Sequence, residues 1–202
     1  MNAPTLIDLG YEYYPNNEDY YRLYEVEDII YNDFAQTIDT ITYEVVEVFT
    51  NTFNDLEGRE SRELHRYEKR NGTNWVLKDV WTSTKTQTRV EQVEENQRVV
   101  KLTFPVKEGN DWNGYAFADL PDEDFEVLSL KSDTVVNGIS INEFIEVLNY
   151  EDENILERRI KKEKYGKTFG LIHLYLVDLD LQKDSGIIRN MWIKDTGFNF
   201  SF

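Results

Sequence analysis

Two histidines, His65 and His173, are the only imidazoles in a chain of 202 residues that has no cysteine. Imidazole is a common metal ligand and the usual general base near neutral pH, but a metal triad needs three ligating side chains converging on one ion. His65 lies in a polar run between Leu64 and Arg66, and His173 lies in the apolar run Leu171–Leu181. The expectation is two separate sheet histidines, with no metal site and no cofactor. The absence of cysteine excludes thiol catalysis and zinc or iron–sulfur sites built on thiolates. A serine nucleophile needs a sharp Gly-x-Ser-x-Gly turn, and Gly138-Ile139-Ser140 lacks the second glycine. With 39 Asp and Glu, a glycosidase-like pair of carboxylates stays open by number, yet no two are singled out. No catalytic residue is assigned.

The remaining candidates are acidic runs, aromatic rings and two threonines. Asp178-Leu179-Asp180 and the run Asp119 to Asp124 are the densest acidic stretches. Neither has the alternate-position oxygens around a glycine that a calcium loop requires, so both read as solvated turns. Trp75, Trp81 and Trp112 are the candidate ligand-binding residues, alongside Trp192 and the series Phe198, Phe200 and Phe202. Rings in excess of what a core needs would line a pocket for an apolar ligand; otherwise they are sheet packing. Thr40 in Asp39-Thr40-Ile41 and Thr134 in Asp133-Thr134-Val135 match the Asp-Thr-aliphatic pattern of O-glycosylated exported proteins of Bacteroidota.

The elements that must position these residues read as strands. Tyr20–Tyr31, Thr40–Thr50, Arg59–Arg70, Trp75–Thr82 and Arg98–Phe104 are extended runs separated by turn residues. A weakly alternating run, Thr84–Glu94, reads as exposed or as an edge. In Thr40–Thr50 the apolar parity switches between Val45 and Val46, which predicts a bulge or a strand buried on both faces. Trp75, Leu77 and Trp81 are predicted to share one face, and Val100, Leu102 and Phe104 another. After an acidic irregular stretch, Ala116–Asp124, come Phe125–Ser132, Thr134–Val136, Ile139–Tyr150, Ile155–Tyr165, Leu171–Leu181 and Ile187–Phe202. Ile155–Tyr165 has helix-favouring Glu, Arg and Lys but sits among hairpins, so strand is preferred. Asn71-Gly72 and Asn137-Gly138 are hairpin signals, because both residue types tolerate positive φ.

Roughly ten to twelve short strands in hairpin sequence predict an all-β fold: a meandering antiparallel sheet curled into a barrel or half-barrel, lipocalin-like, with little helix. Residues 1–19 read as an irregular lead-in and 20–202 as a single β domain. The formal net charge of −17 argues against nucleic acid and against an anionic membrane face. The acidity is uneven: before Gly58 the only basic residue is Arg22. No stretch is long and apolar enough for a membrane-spanning helix, and the start Met1–Leu6 has no signal-peptide pattern.

The run Phe104-Pro105-Val106 to Gly109 and Trp112-Asn113-Gly114 resembles a motif of an uncharacterised family of secreted lipoproteins of Bacteroidota. Glu151–Arg158, Glu163–Lys167 and Gly170-Leu171-Ile172 resemble further stretches of that family, and Tyr13-Tyr14-Pro15 to Val26 resembles its opening. At that opening Glu18-Asp19 stands where Val-Gly is usual and Arg22 where Trp is usual, so the first turn has lost apolar anchors. The resemblance implies a secreted protein held by a lipid on a cysteine upstream of this chain, in the periplasm or on the cell surface, with no membrane insertion of its own. It implies no activity for any residue. Together these readings predict a non-enzymatic envelope domain that binds an envelope protein or serves a structural role. The alternatives are a carrier of an apolar ligand in a β half-barrel, and an envelope glycan hydrolase using paired carboxylates. An apolar cavity, a filled core and a polar cleft are the three outcomes that separate them.

Overall fold

The computed structural model describes residues 8–202; the first part of the expected lead-in, residues 1–7, lies outside the described residues. Strands β1 (Tyr20–Asn32), β2 (Thr37–Asn54), β3 (Glu60–Lys69), β4 (Val76–Lys85), β5 (Arg89–Glu94) and β6 (Gln97–Thr103) form one meander. A second comprises β7 (Asp111–Asn113), β8 (Asp124–Val136), β9 (Ile139–Glu153), β10 (Glu157–Gly166), β11 (Gly170–Asp180) and β12 (Ser185–Phe198). All twelve belong to one antiparallel sheet, in the order β6-β5-β4-β3-β2-β1-β12-β11-β10-β9-β8-β7. The all-β expectation holds, and Ile155–Tyr165 is a strand.

The sheet curls until its two ends meet. The Val100 amide donates to the Gly114 carbonyl at 2.8 Å, and the Trp112 indole Nε1–H donates back to the Val100 carbonyl at 2.8 Å. Arg98 also bridges Phe117. These contacts make a nearly closed barrel and pair groups that an open edge would expose. Gly114 is required at this seam, because a Cβ there would lie 2.4 Å from the Phe125 ring. The stretch that carries the family-like motif is thus the seam of the barrel.

One end of the barrel is plugged from within. A 3₁₀ turn, Tyr11–Tyr13, follows Gly10 and sends Tyr13 and Tyr14 into the core, 2% and 1% exposed. Lys85 Nζ donates to the Tyr11 and Tyr14 carbonyls, both at 2.8 Å, and the Thr168 amide donates to the Glu12 carbonyl. The first turn also keeps its anchorage despite Glu18-Asp19: Asp19 adopts φ 61, its amide donates to Phe49 and its carbonyl accepts from Asn199. Around this plug lies the apolar core, including Tyr24, Phe49, Phe125, Ile141, Ile172 and Ile193.

Several expectations are corrected by bulges and by closure. The run read as exposed or edge, Thr84–Glu94, is divided: Thr84 and Lys85 end β4, and β5 lies inside the sheet with Val90, Glu91 and Gln92 buried. Phe125–Ser132 and Thr134–Val136 form one strand, through Asp133 at φ 52. Asn71-Gly72 sits in a longer connection in which Gly72 takes positive φ, whereas Asn137-Gly138 is a two-residue hairpin with positive φ at both. The register of β5 against β6 shifts between Val90 and Glu91, which leaves Lys101 as an extra residue, so Val100 and Leu102 do not share a face. A shift between Arg66 and Tyr67 likewise breaks the face expected of Leu77 and Trp81, and Leu77 is exposed. β2 is buried on both faces from Val45 to Phe49, without a shift against β1. Finally, β12 stops at Phe198. Phe200 and Phe202 lie past the strand and pack outside the barrel on Tyr21, Tyr67 and Trp75.

Candidate functional site

Opposite the plug the lumen is open and polar, with a cavity of about 370 Å³. Strand alternation on β1 turns Tyr20, Arg22, Tyr24, Val26 and Asp28 inward, so the sole basic residue before Gly58 is carried into the barrel. Its guanidinium lies over the rings of Tyr14 and Phe49, 5.7 and 5.2 Å from their centroids. Nη2 donates to Glu47 at 2.9 Å. Arg22 is 2% exposed. Arg22, expected from the resemblance to be a lost apolar anchor, is instead a cation packed between rings.

From Arg22 the charges run along the wall. Arg66 on β3 reaches Glu47 at 3.8 Å and Asp79 on β4 at 3.3 Å, and stacks over Trp81 at 5.2 Å. Across the lumen, Lys101 on β6 contacts Glu163 on β10 at 2.7 Å and Glu94 on β5 at 3.3 Å. Lys161 approaches Glu163 at 3.6 Å, and the Tyr165 hydroxyl donates to it at 2.7 Å. Deeper in the barrel, the Tyr14 hydroxyl donates to Gln92 at 2.6 Å and accepts from Ser83. On the other side Arg189 grips Asp28 through two bonds of 2.7 Å.

These environments fix protonation. Burial works against the charge of Glu163, but Lys101 and Lys161 outweigh it and hold its pKa down at about 2. Burial also works against the Lys101 ammonium, and Glu163 with Glu94 raises it well above the ordinary lysine value. Burial, reinforced by Glu163, pushes Tyr165 well up, so it stays a phenol that donates. Glu163 is thus held as a carboxylate, Lys101 as a cation and Tyr165 as a neutral phenol.

The residues singled out from sequence do not converge. Trp81 lines the lumen. Trp75 lies outside, against Phe200 and beneath Lys69. Trp112 is half-buried at the seam, against Phe125. His65 faces outward, with Nε2 3.0 Å from Glu63. His173, four strands from His65 in the sheet, stacks on its cross-strand neighbour Trp192, and burial, then Lys164, lowers its pKa. Among the described residues no group of His, Asp and Glu could hold a metal ion. Of the acidic runs, Asp180 caps its own turn through Lys183 and two amides, and Asp122 accepts from Asn113. Thr40 is exposed on β2, and Thr134 is half-buried on β8.

Sequence reasoning passed over the lumen set. Arg22 carried a usable signal, a lone cation alternating with tyrosines in an apolar strand. Lys101 carried none, because it enters the lumen only through the β6 bulge.

No protein-family model matches the chain, and no curated protein matches it in sequence. Two solved structures are similar. One, from Parabacteroides distasonis ATCC 8503 and described as a lipoprotein, has 7% identity and a TM-score of 0.51, covering 92% of this chain and 98% of its own. The other, from Bacteroides fragilis NCTC 9343 and described as an exported protein with a YmcC-like fold, has 8% identity and a TM-score of 0.44, covering 91% and 98%. At 7% identity, the likeness to the Parabacteroides protein shows a shared fold.

Proposed function

We propose that the protein is a non-catalytic binding or structural domain of the cell envelope, and that its working surface is the open half of the lumen. The observation that carries this reading is the pairing of the lumen carboxylates: Glu47, Asp79, Glu94 and Glu163 each lie within ion-pair distance of Arg22, Arg66 or Lys101. A glycoside hydrolase of the two-carboxylate type needs one carboxyl kept protonated near neutral pH. Cations beside Glu163 do the opposite. The same charged wall is a poor solvent for an apolar chain, because burying it under hydrocarbon leaves polar groups without water. This weighs against the carrier of a lipid.

Envelope placement is supported by the lipoprotein-like motif around the seam and by the fold shared with a protein described as a lipoprotein. A lipid anchor would then lie upstream, and Thr40, exposed and preceded by Asp39, is the better placed of the two O-glycosylation candidates.

A carboxyl-selective NMR titration tests the non-catalytic reading. Glu163 is expected to titrate far below neutrality; a lumen carboxyl that titrates near neutrality restores the hydrolase. Fractionation of the native host tests placement. The protein is expected with the membranes, released by detergent, and recovery in the cytosol overturns that part.

A further inference from the structure

We infer that the open half of the lumen binds a small, neutral, hydroxyl-rich molecule of the mono- or disaccharide class; the inference rests on the non-catalytic reading and names the ligand for the same cavity. Three of its lining residues carry buried nitrogens with no hydrogen-bond partner within the protein: Nε and Nη1 of Arg22, Nε of Arg66, and Nε1 of Trp81. Each is a donor and none can accept. The nearest charge to Arg66 Nε, Glu47 Oε1, is 3.8 Å away, beyond hydrogen-bond reach. Native interiors leave few such groups unsatisfied, and these four belong to β1, β3 and β4, all within four successive strands of the sheet. They call for oxygen acceptors.

Charge decides which acceptors. The lumen cations already hold carboxylate partners, so an added anion would face Glu47 and Glu163 with no free counter-charge. An added cation would meet the unpartnered donors. Hydroxyl groups suit both demands, since each accepts from a nitrogen and donates to a carboxylate. Leu174, Leu176 and Met191 on β11 and β12 add an apolar stretch beside Arg189, and the Trp81 and Tyr150 rings border the same space. A saccharide has hydroxyls around its rim and C–H groups on its faces, which matches a lining of charged, aromatic and aliphatic side chains. The volume of about 370 Å³ is within the range of small-ligand sites, about 300–1,000 Å³.

The test uses the full chain, isothermal titration and saturation-transfer NMR. The probes are glucose, galactose, mannose, N-acetylglucosamine, lactose, glucuronate, inorganic phosphate and palmitate. A neutral saccharide is expected to bind saturably and more tightly than glucuronate or phosphate. In Trp81→Phe the affinity should fall about tenfold, the equivalent of one lost hydrogen bond. Its melting temperature should hold, because Nε1 has no partner inside the protein. A merely structural Trp81 would show the reverse pattern. Preference for glucuronate, phosphate or palmitate, or no binding by any neutral saccharide, overturns the inference. Hydrolysis of a bound saccharide would leave the inference standing and overturn the non-catalytic reading. Ionised lumen carboxyls with no saccharide bound would overturn the inference and spare that reading.

Discussion

The plugged end and the open end of this barrel are both densely buried, yet they are held by different physics. At the plugged end, Tyr13 and Tyr14 join Phe125, Ile141, Ile172 and Ile193 in one apolar cluster, and their hydroxyls donate to Glu143 and Gln92. Stabilisation there comes from area removed from water and from close packing, so each deletion loses transfer energy and leaves a void. At the open end the buried groups are Arg22, Glu47, Lys101 and Glu163. Ion pairs of this kind offset their own desolvation and little more, while a partner left alone is costly. The contrast teaches that burial alone does not identify what stabilises a site. The plugged end fixes the fold, and the open end keeps a polar surface inside it.

The first way to break the comparison is Phe125→Ala. The ring is fully buried between Trp112, Tyr115 and Gly114, and its loss is expected to cost about 4 kcal/mol in urea unfolding. At the open end, Lys101→Met leaves Glu163 with only the more distant Lys161 as counter-charge and is expected to cost about 3 kcal/mol, but Lys101→Met with Glu163→Leu should recover most of that loss. A double variant as unstable as the sum of its singles would make the two ends energetically alike.

Acid sharpens the contrast. The folded pKa of Glu163, about 2, lies below the unfolded value of about 4.3. Its pairing therefore stabilises fully above the unfolded value and is lost as pH falls from there through the folded pKa. Stability measured against pH is expected to slope downward in that window, and Glu163→Gln should flatten the slope. An unchanged slope would mean that Lys101 and Lys161 do not hold the carboxylate. The smallest effect is expected at the seam. Trp112→Phe keeps a ring against Phe125 but removes the bond to the Val100 carbonyl, for about 1 kcal/mol and faster amide exchange at Val100.

The sequence alone determined the class of fold. Alternation along Tyr20–Tyr31 and Leu171–Leu181, β-favouring aromatics and the Asn137-Gly138 turn are local properties, and together they allow little besides an antiparallel meander. It also singled out Arg22 as the one basic residue before Gly58, but not its place in the lumen. Tertiary structure decided the lumen. Alternation assigns a face only until a bulge resets it, and resets at Lys101, between Arg66 and Tyr67, and between Lys164 and Tyr165 were not legible from residue types. Nor could counting 39 acids against 22 bases reveal that Arg22 meets Glu47 or that Lys101 meets Glu163. Those partners are joined by barrel closure, which turns one face of every strand toward a common axis and brings distant residues of opposite charge within contact there.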